Sequence, residues 1–124
     1  MIVDKPLRIG ATIRELLLTS PKVHAIVGKH IYPYLTQEEI RHPHIVFDGL
    51  GVTFEQTKDG ELPSDITLTL NCNTTNYDLG IMLGEAVIDV FEDHEDIAVT
   101  YAACEYDAAA MMFTHSITIN IVTE

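Results

Sequence analysis

Apolar residues in the first part of the chain recur at helical spacing. Ile9, Ile13, Leu16 and Leu17 form one stripe, with Arg8, Arg14 and Glu15 off it, the pattern of an amphipathic helix. Asp4-Lys5-Pro6 stands at its start, where a proline in the first turn gives up no helical hydrogen bond. Ser20-Pro21 breaks this helix and caps a shorter one through Val23, Ile26 and Val27, with Gly28 where a left-handed helix stop is expected. Ile31-Tyr32-Pro33 reads as extended or turn, because a residue before proline avoids the helical region. Thr36 and Glu39 have capping-box spacing, but Arg41-His42-Pro43 ends any helix there within two turns.

Beyond this point the period changes. His44 to Asp48 reads as a strand, Gly49 to Gly51 as a turn, and Val52 to Gln56 as the partner strand. Thr57 to Pro63 holds Asp59-Gly60, a good hairpin tip. From Ser64 to Asn73 the alternation is clean: Ile66, Leu68, Leu70 and Cys72 share one face, Thr67 and Thr69 the other, as in a half-buried antiparallel strand. Thr75 and Asp78 then open the longest helix, with Tyr77, Ile81, Ile88 and Phe91 along one edge of its apolar face and Met82, Leu83, Ala86 and Val87 widening it. Gly80 and Gly84, four apart, mark close packing on a neighbour. Glu92-Asp93-His94-Glu95-Asp96 ends the helix with carboxylates that oppose its negative end, so a solvated exit is expected. Two further strands, Ile97 to Tyr106 and Met112 to Val122, flank Asp107-Ala108-Ala109-Ala110, and Ile117, Ile119 and Ile121 line one face of the last. The order predicts a single α+β domain over residues 1–124: a mostly antiparallel sheet of about five strands, with the N-terminal helices and the long central helix packed on one face.

Composition narrows the function. A 124-residue chain with 47% hydrophobic residues fits one domain that buries roughly 65% of its unfolded surface. No apolar run is long enough for a membrane span, and Met1 to Pro6 lacks the basic-then-apolar layout of an export signal. Cys72 and Cys104 make neither a disulfide framework nor a zinc set, and a reducing cytoplasm is the expected compartment. Seven Lys and Arg against nineteen Asp and Glu give a net charge of −12. Without clustered cations the chain is not expected to bind DNA or RNA sequence-specifically, and its acidic surface repels nucleic acid.

Candidate chemistry is sparse. His42 and His44, two apart, would point the same way on an extended segment, with Glu38 and Glu39 near in sequence, so a metal is one use for them and an exposed strand entry the plainer one. His115 stands beside Ser116, but a Ser–His–acid set is recognised by geometry, and the chain has no Gly-x-Ser-x-Gly elbow. Cys104 lies between Ala103 and Glu105, an acidic setting that disfavours a reactive thiolate. The acids from Glu92 to Asp96 lack the ligand ladder and central glycine of a calcium loop. These residues predict no catalytic, cofactor or metal site; the competing expectation is a small metal-binding or hydrolytic enzyme built on His42, His44 and His115.

The helix–helix–glycine opening, Gly28-Lys29-His30-Ile31-Tyr32-Pro33 and the strand Pro43-His44-Ile45-Val46-Phe47 together resemble the small tail-completion or tail-terminator proteins of long-tailed phages and prophages. Leu16, Leu17, Val23 and Val27 belong to the same pattern, which follows the element order of nearly the whole chain. A tryptophan that relatives often carry late in the central strand is replaced here by Asn71-Cys72-Asn73. The resemblance implies a non-catalytic subunit that closes into a homo-oligomeric ring, typically a hexamer, at the head-proximal end of the tail tube. There it would stop tube polymerisation and meet the head–tail connector, assembling in the bacterial host cytoplasm and ending in the virion tail. Two features fit that expectation. Six copies would carry six times the −12 of one chain, a field that keeps DNA sliding through an acidic bore. The hairpin from Gln56 to Pro63 could reach neighbours by strand addition, with Glu55, Asp59 and Glu61 as candidate lumen acids.

Overall fold

The computed structural model describes residues 6–33, 40–57 and 60–122. Pro6–Arg8 form a single 3-10 turn that leads into α1 (Ile9–Leu18). Ile9, Ile13 and Leu17 of α1 are buried, the stripe that the spacing predicts. Ser20 caps α2 (Pro21–Val27), its hydroxyl accepting from the Val23 N–H at 3.4 Å. Gly28 ends α2 with φ +59° but ψ −122°, a positive-φ conformation outside the left-handed helical well that was expected.

The sheet holds β1 (Ile31–Tyr32), β2 (His44–Thr57), β3 (Gly60–Thr74), β4 (Ile97–Asp107) and β5 (Met112–Val122), in the spatial order β1-β2-β3-β5-β4. β1 runs parallel to β2; the other pairings are antiparallel. The chain therefore has the expected α+β fold on a mostly antiparallel five-strand sheet.

Two sequence expectations for β2 and β3 are corrected. Residues 44–48 and 52–56 do not fold back on each other across Gly49–Gly51. They are one strand, and both segments pair with β3: Ile45 with Cys72, Val52 with Ile66. The glycines mark an irregularity in the ladder, between Asp48 and Gly51, where Gly49 takes φ +63°. An extra residue in one strand bends it and leaves the pairing intact on either side. The chain reverses between Thr57 and Gly60, which pair with each other, so Glu61, Leu62 and Pro63 are strand and not tip. Proline is tolerated there because β3 pairs with β5 only from Asp65 onward, which leaves that stretch an edge. Lys58 and Asp59 at the tip, like Asp4, Lys5, Thr36 and Glu39 of the expected caps, lie outside the described residues.

α3 (Tyr77–Glu92) is capped by Asn76, whose side chain accepts from the Leu79 N–H at 3.0 Å. Thr75, the expected cap, stands one residue earlier. The buried stripe is Gly80, Leu83, Gly84, Ala86, Val87 and Phe91, whereas Tyr77 and Met82 are exposed. Leu83, Ala86, Val87 and Phe91 join Ile9, Ile13, Leu17, Val23 and Val27 of the first helices in one apolar cluster with Ile45 and Phe47 of β2, Ile66, Leu68, Leu70 and Cys72 of β3, and Ile117, Ile119 and Ile121 of β5. All three helices thus cover one face of the sheet. Asp107 closes the β4–β5 turn by accepting from the Ala109 and Ala110 N–H groups at 3.0 and 3.2 Å.

Candidate functional site

The face of the sheet away from the helices carries a polar ladder. Alternation places Thr67, Thr69, Asn71 and Asn73 of β3 opposite Asn120, Thr118, Ser116 and Thr114 of β5. Three of these pairs are joined by side chains. Thr114 donates to the Asn73 carboxamide oxygen at 2.6 Å, Ser116 donates to that of Asn71 at 2.7 Å, and the Thr69 and Thr118 hydroxyls lie 3.1 Å apart. The Asn73 amide nitrogen extends the ladder to Nε2 of His44 on β2, at 3.2 Å. Because that nitrogen accepts, His44 carries its proton on Nδ1 and donates it to the His42 carbonyl at 2.9 Å. His44 is buried, and burial holds its pKa below the ordinary imidazole value, with the neighbouring His42 and His30 acting in the same direction.

Beside His44, at the β1 edge, the His30 and His42 rings sit with centroids 3.8 Å apart and planes tilted by 45°, and Tyr32 meets His30 Nδ1 through its hydroxyl at 2.9 Å. Arg41 reaches across this end of the sheet and donates to the Ala110 carbonyl at 2.7 Å. The expected His42–His44 proximity is real, at 6.1 Å between rings, but both His44 nitrogens are already engaged.

His115 lies on the other side of the sheet. It pairs in register with Cys72, one position from the His44–Asn73 pair, and therefore faces the helices. Its ring abuts α3 at Gly80: a Cβ built there would stand 2.6 Å from its Cε1. Burial lowers its pKa as well, and its Nδ1 has no hydrogen-bond partner among the described residues. The glycine spacing Gly80–Gly84 thus marks close packing on the sheet, as its pattern implies. The three histidines of the competing expectation are not brought together. Ser116, adjacent to His115, faces the opposite way and bonds Asn71, so no Ser–His dyad forms. No group of three His, Cys, Asp or Glu side chains is placed to hold a metal among the described residues. Cys72 is fully buried, which pushes its thiol up to about 12, while Cys104 is exposed on β4.

The candidate lumen acids stand on the far end of the β2–β3 hairpin. Glu55 is opposite Leu62 and Glu61 opposite Gln56, so the two occupy out-of-step register positions; Asp59 lies outside the described residues.

A property that the residue totals conceal is where the charge sits. Every Lys and Arg falls at or before Lys58, and residues 59–124 hold thirteen of the nineteen acids. In the fold the division is partial, because α2 packs on α3 and Lys22 lies 3.6 Å from Asp89. Among the described residues, the side formed by α1, α2 and β1 carries Arg8, Arg14, Lys22 and Lys29 against the acid Glu15. The side formed by α3 and β4 carries Asp78, Glu85, Asp89, Glu92, Glu105 and Asp107 with no Lys or Arg. A separate count of the two halves of the sequence is the signal that finds it.

No family model matches the chain, and no curated protein matches it. The fold has a solved counterpart: the chain is similar to a chain in a structure described as the virion of a native gene transfer agent (GTA) particle, with a TM-score of 0.76 at 13% identity, covering 92% of each chain. At that identity the likeness is one of fold.

Proposed function

We propose that this protein is a non-catalytic structural subunit of a phage or phage-like particle, of the tail-completion type, which closes into a ring that ends the tail tube at the head–tail joint. The observation that carries the proposal is the shared fold with a chain of the gene transfer agent virion, over 92% of both chains. The motifs from Gly28 to Pro33 and Pro43 to Phe47 support it independently, because they form β1 and the start of β2, the parallel pair at one edge of the sheet. The geometry of the histidines supports a non-catalytic role, since His44 spends both nitrogens on structure and His115 is confined beneath α3.

In this assembly the partners are copies of the chain, possessing one shared acidic field, together with tail-tube and connector proteins. The β2–β3 hairpin bearing Glu55, Asp59 and Glu61 is the proposed lining of the bore, where negative charge would let DNA slide. Light scattering and electron microscopy of the purified chain, alone and with tube protein, test the ring. Rings of uniform diameter are the expected result. A monomer under every condition, including in the presence of tube ends, would overturn the proposal.

A further inference from the structure

The two ends of the sheet differ in charge, and that difference has a geometric consequence. Among the described residues, β1 and β4 are the outermost strands of the order β1-β2-β3-β5-β4, so they form opposite edges of the sheet. Lys29 and Arg14 belong to the β1 side: Lys29 is exposed between α2 and β1, and the Arg14 guanidinium donates to the Ile31 carbonyl of β1 at 3.0 Å. Glu105 and Asp107 are exposed on β4, and Glu85 is exposed on the helix above it.

β4 is also an unusual edge. It runs for eleven residues with no proline and no lysine; its one irregularity lies between Val99 and Tyr101, and its charges, Glu105 and Asp107, are all of one sign. Among the described residues, nothing pairs with its outer side. Tyr101 and Tyr106 stand exposed along it, at 62% and 52%. Beside it, between α3 and the sheet, an apolar groove of about 280 Å³ is lined by Ile81, Ile88, Ala102 and Ile117, with Glu85 on its wall. An edge with these features takes up another chain.

Charge decides which chain. Two α3–β4 edges brought together would gather two sets of the acids Glu85, Glu105 and Asp107 at one interface with no Lys or Arg of those elements to offset them, and like charges at an interface are unfavourable. The cationic β1 side of a second copy has the complementary sign. Contacts between two different surfaces on opposite sides of a subunit are heterologous, and they propagate into a ring or a filament instead of stopping at a dimer. We propose that copies of this chain join head to tail, the α3–β4 edge of one subunit receiving the α2–β1 edge of the next, with Lys29 set against the acids around Glu105. This inference rests on the self-association in the proposed function and names the two surfaces that would make it.

Charge exchange tests it. Self-association of Lys29→Glu, Glu105→Lys and the double variant is followed by light scattering across concentration, at low and at high salt. Both sites are exposed, and circular dichroism checks that each variant is folded. Each single reversal is expected to raise the midpoint concentration of association about tenfold. The double exchange, and an equimolar mixture of the two singles, should return it toward the wild-type value. As a second measurement, Lys29→Cys paired with the native Cys104 should give, on mild oxidation, a ladder of dimers, trimers and higher species that Cys104→Ser abolishes. Wild-type association that neither reversal alters, together with no ladder, overturns the pairing of these two edges and leaves a ring made through other surfaces standing. A wild-type chain that never associates overturns both.

Discussion

The two faces of the sheet are built from alternate residues of the same strands, yet they are held by different physics. On the helix side, Ile66, Leu68, Leu70 and Cys72 of β3 and Ile117, Ile119 and Ile121 of β5 are buried with Leu83, Val87 and Phe91. Their contribution is non-directional and scales with the area removed from water. On the other side, Asn71, Asn73, Thr114 and Ser116 meet through hydrogen bonds of 2.6 and 2.7 Å. Those bonds depend on register, since a slip of one residue would bring every polar group to the helices and every isoleucine to the open side. The apolar face supplies stability, and the polar face, paired position by position, fixes the alignment of β2, β3 and β5.

This contrast can be broken from the apolar side first. Phe91→Ala should cost about 3–5 kcal/mol, since it empties a fully buried aromatic site beneath the helix end. Urea unfolding should show a lower midpoint at nearly the same slope. Gly80→Ala should cost about 1–3 kcal/mol, because the added methyl meets the His115 ring and the Thr74 hydroxyl at under 3 Å. In a double-mutant cycle, part of that loss should disappear when His115 is also truncated to Ala, and full additivity would contradict the contact.

Smaller effects belong to the polar face. Asn73→Ala removes the acceptor of Thr114 and the donor to His44 together, a loss of about 1–2 kcal/mol at a half-buried site. Conversion of His44 to its charged form should act in the same direction. His44 and His115 both hold folded pKa values below the ordinary imidazole value, so the unfolded chain binds protons more readily. Stability is then complete above about pH 6.5 and declines as pH falls through and below that value. Urea midpoints at pH 7.5 and 5.5 should differ accordingly, and His115→Leu should shrink the difference; an unchanged difference would exclude His115 as a contributor.

The period-two runs of β3 and β5 were legible because one face of each is uniformly aliphatic, and α1 was legible because Ile9, Ile13 and Leu17 keep one helical stripe. The segment from Gly49 to Gly51 was not. Glycine flanked by apolar residues looks alike whether the chain reverses or merely bulges, and only the β3 partner of both flanking segments distinguishes the two cases. α3 misled differently: Tyr77, its first residue, and Met82 are apolar in type but stay exposed, outside the stripe of Leu83, Val87 and Phe91 that the helix buries. The candidate histidines failed as a set because sequence distance says nothing of which side of a sheet a residue faces. His42 and His44 were correctly read as neighbours, while His115, one pairing step away, stands across the sheet from them.

Composition and alternation alone determined the class of fold, the apolar halves of each element and the acidity of the molecule, because each follows from the type and local period of residues. Tertiary structure decided the strand order, the hydrogen-bonded ladder and the packing of His115 against Gly80. These depend on contacts between segments far apart in sequence, whose pairing is selected by the packing of the whole chain.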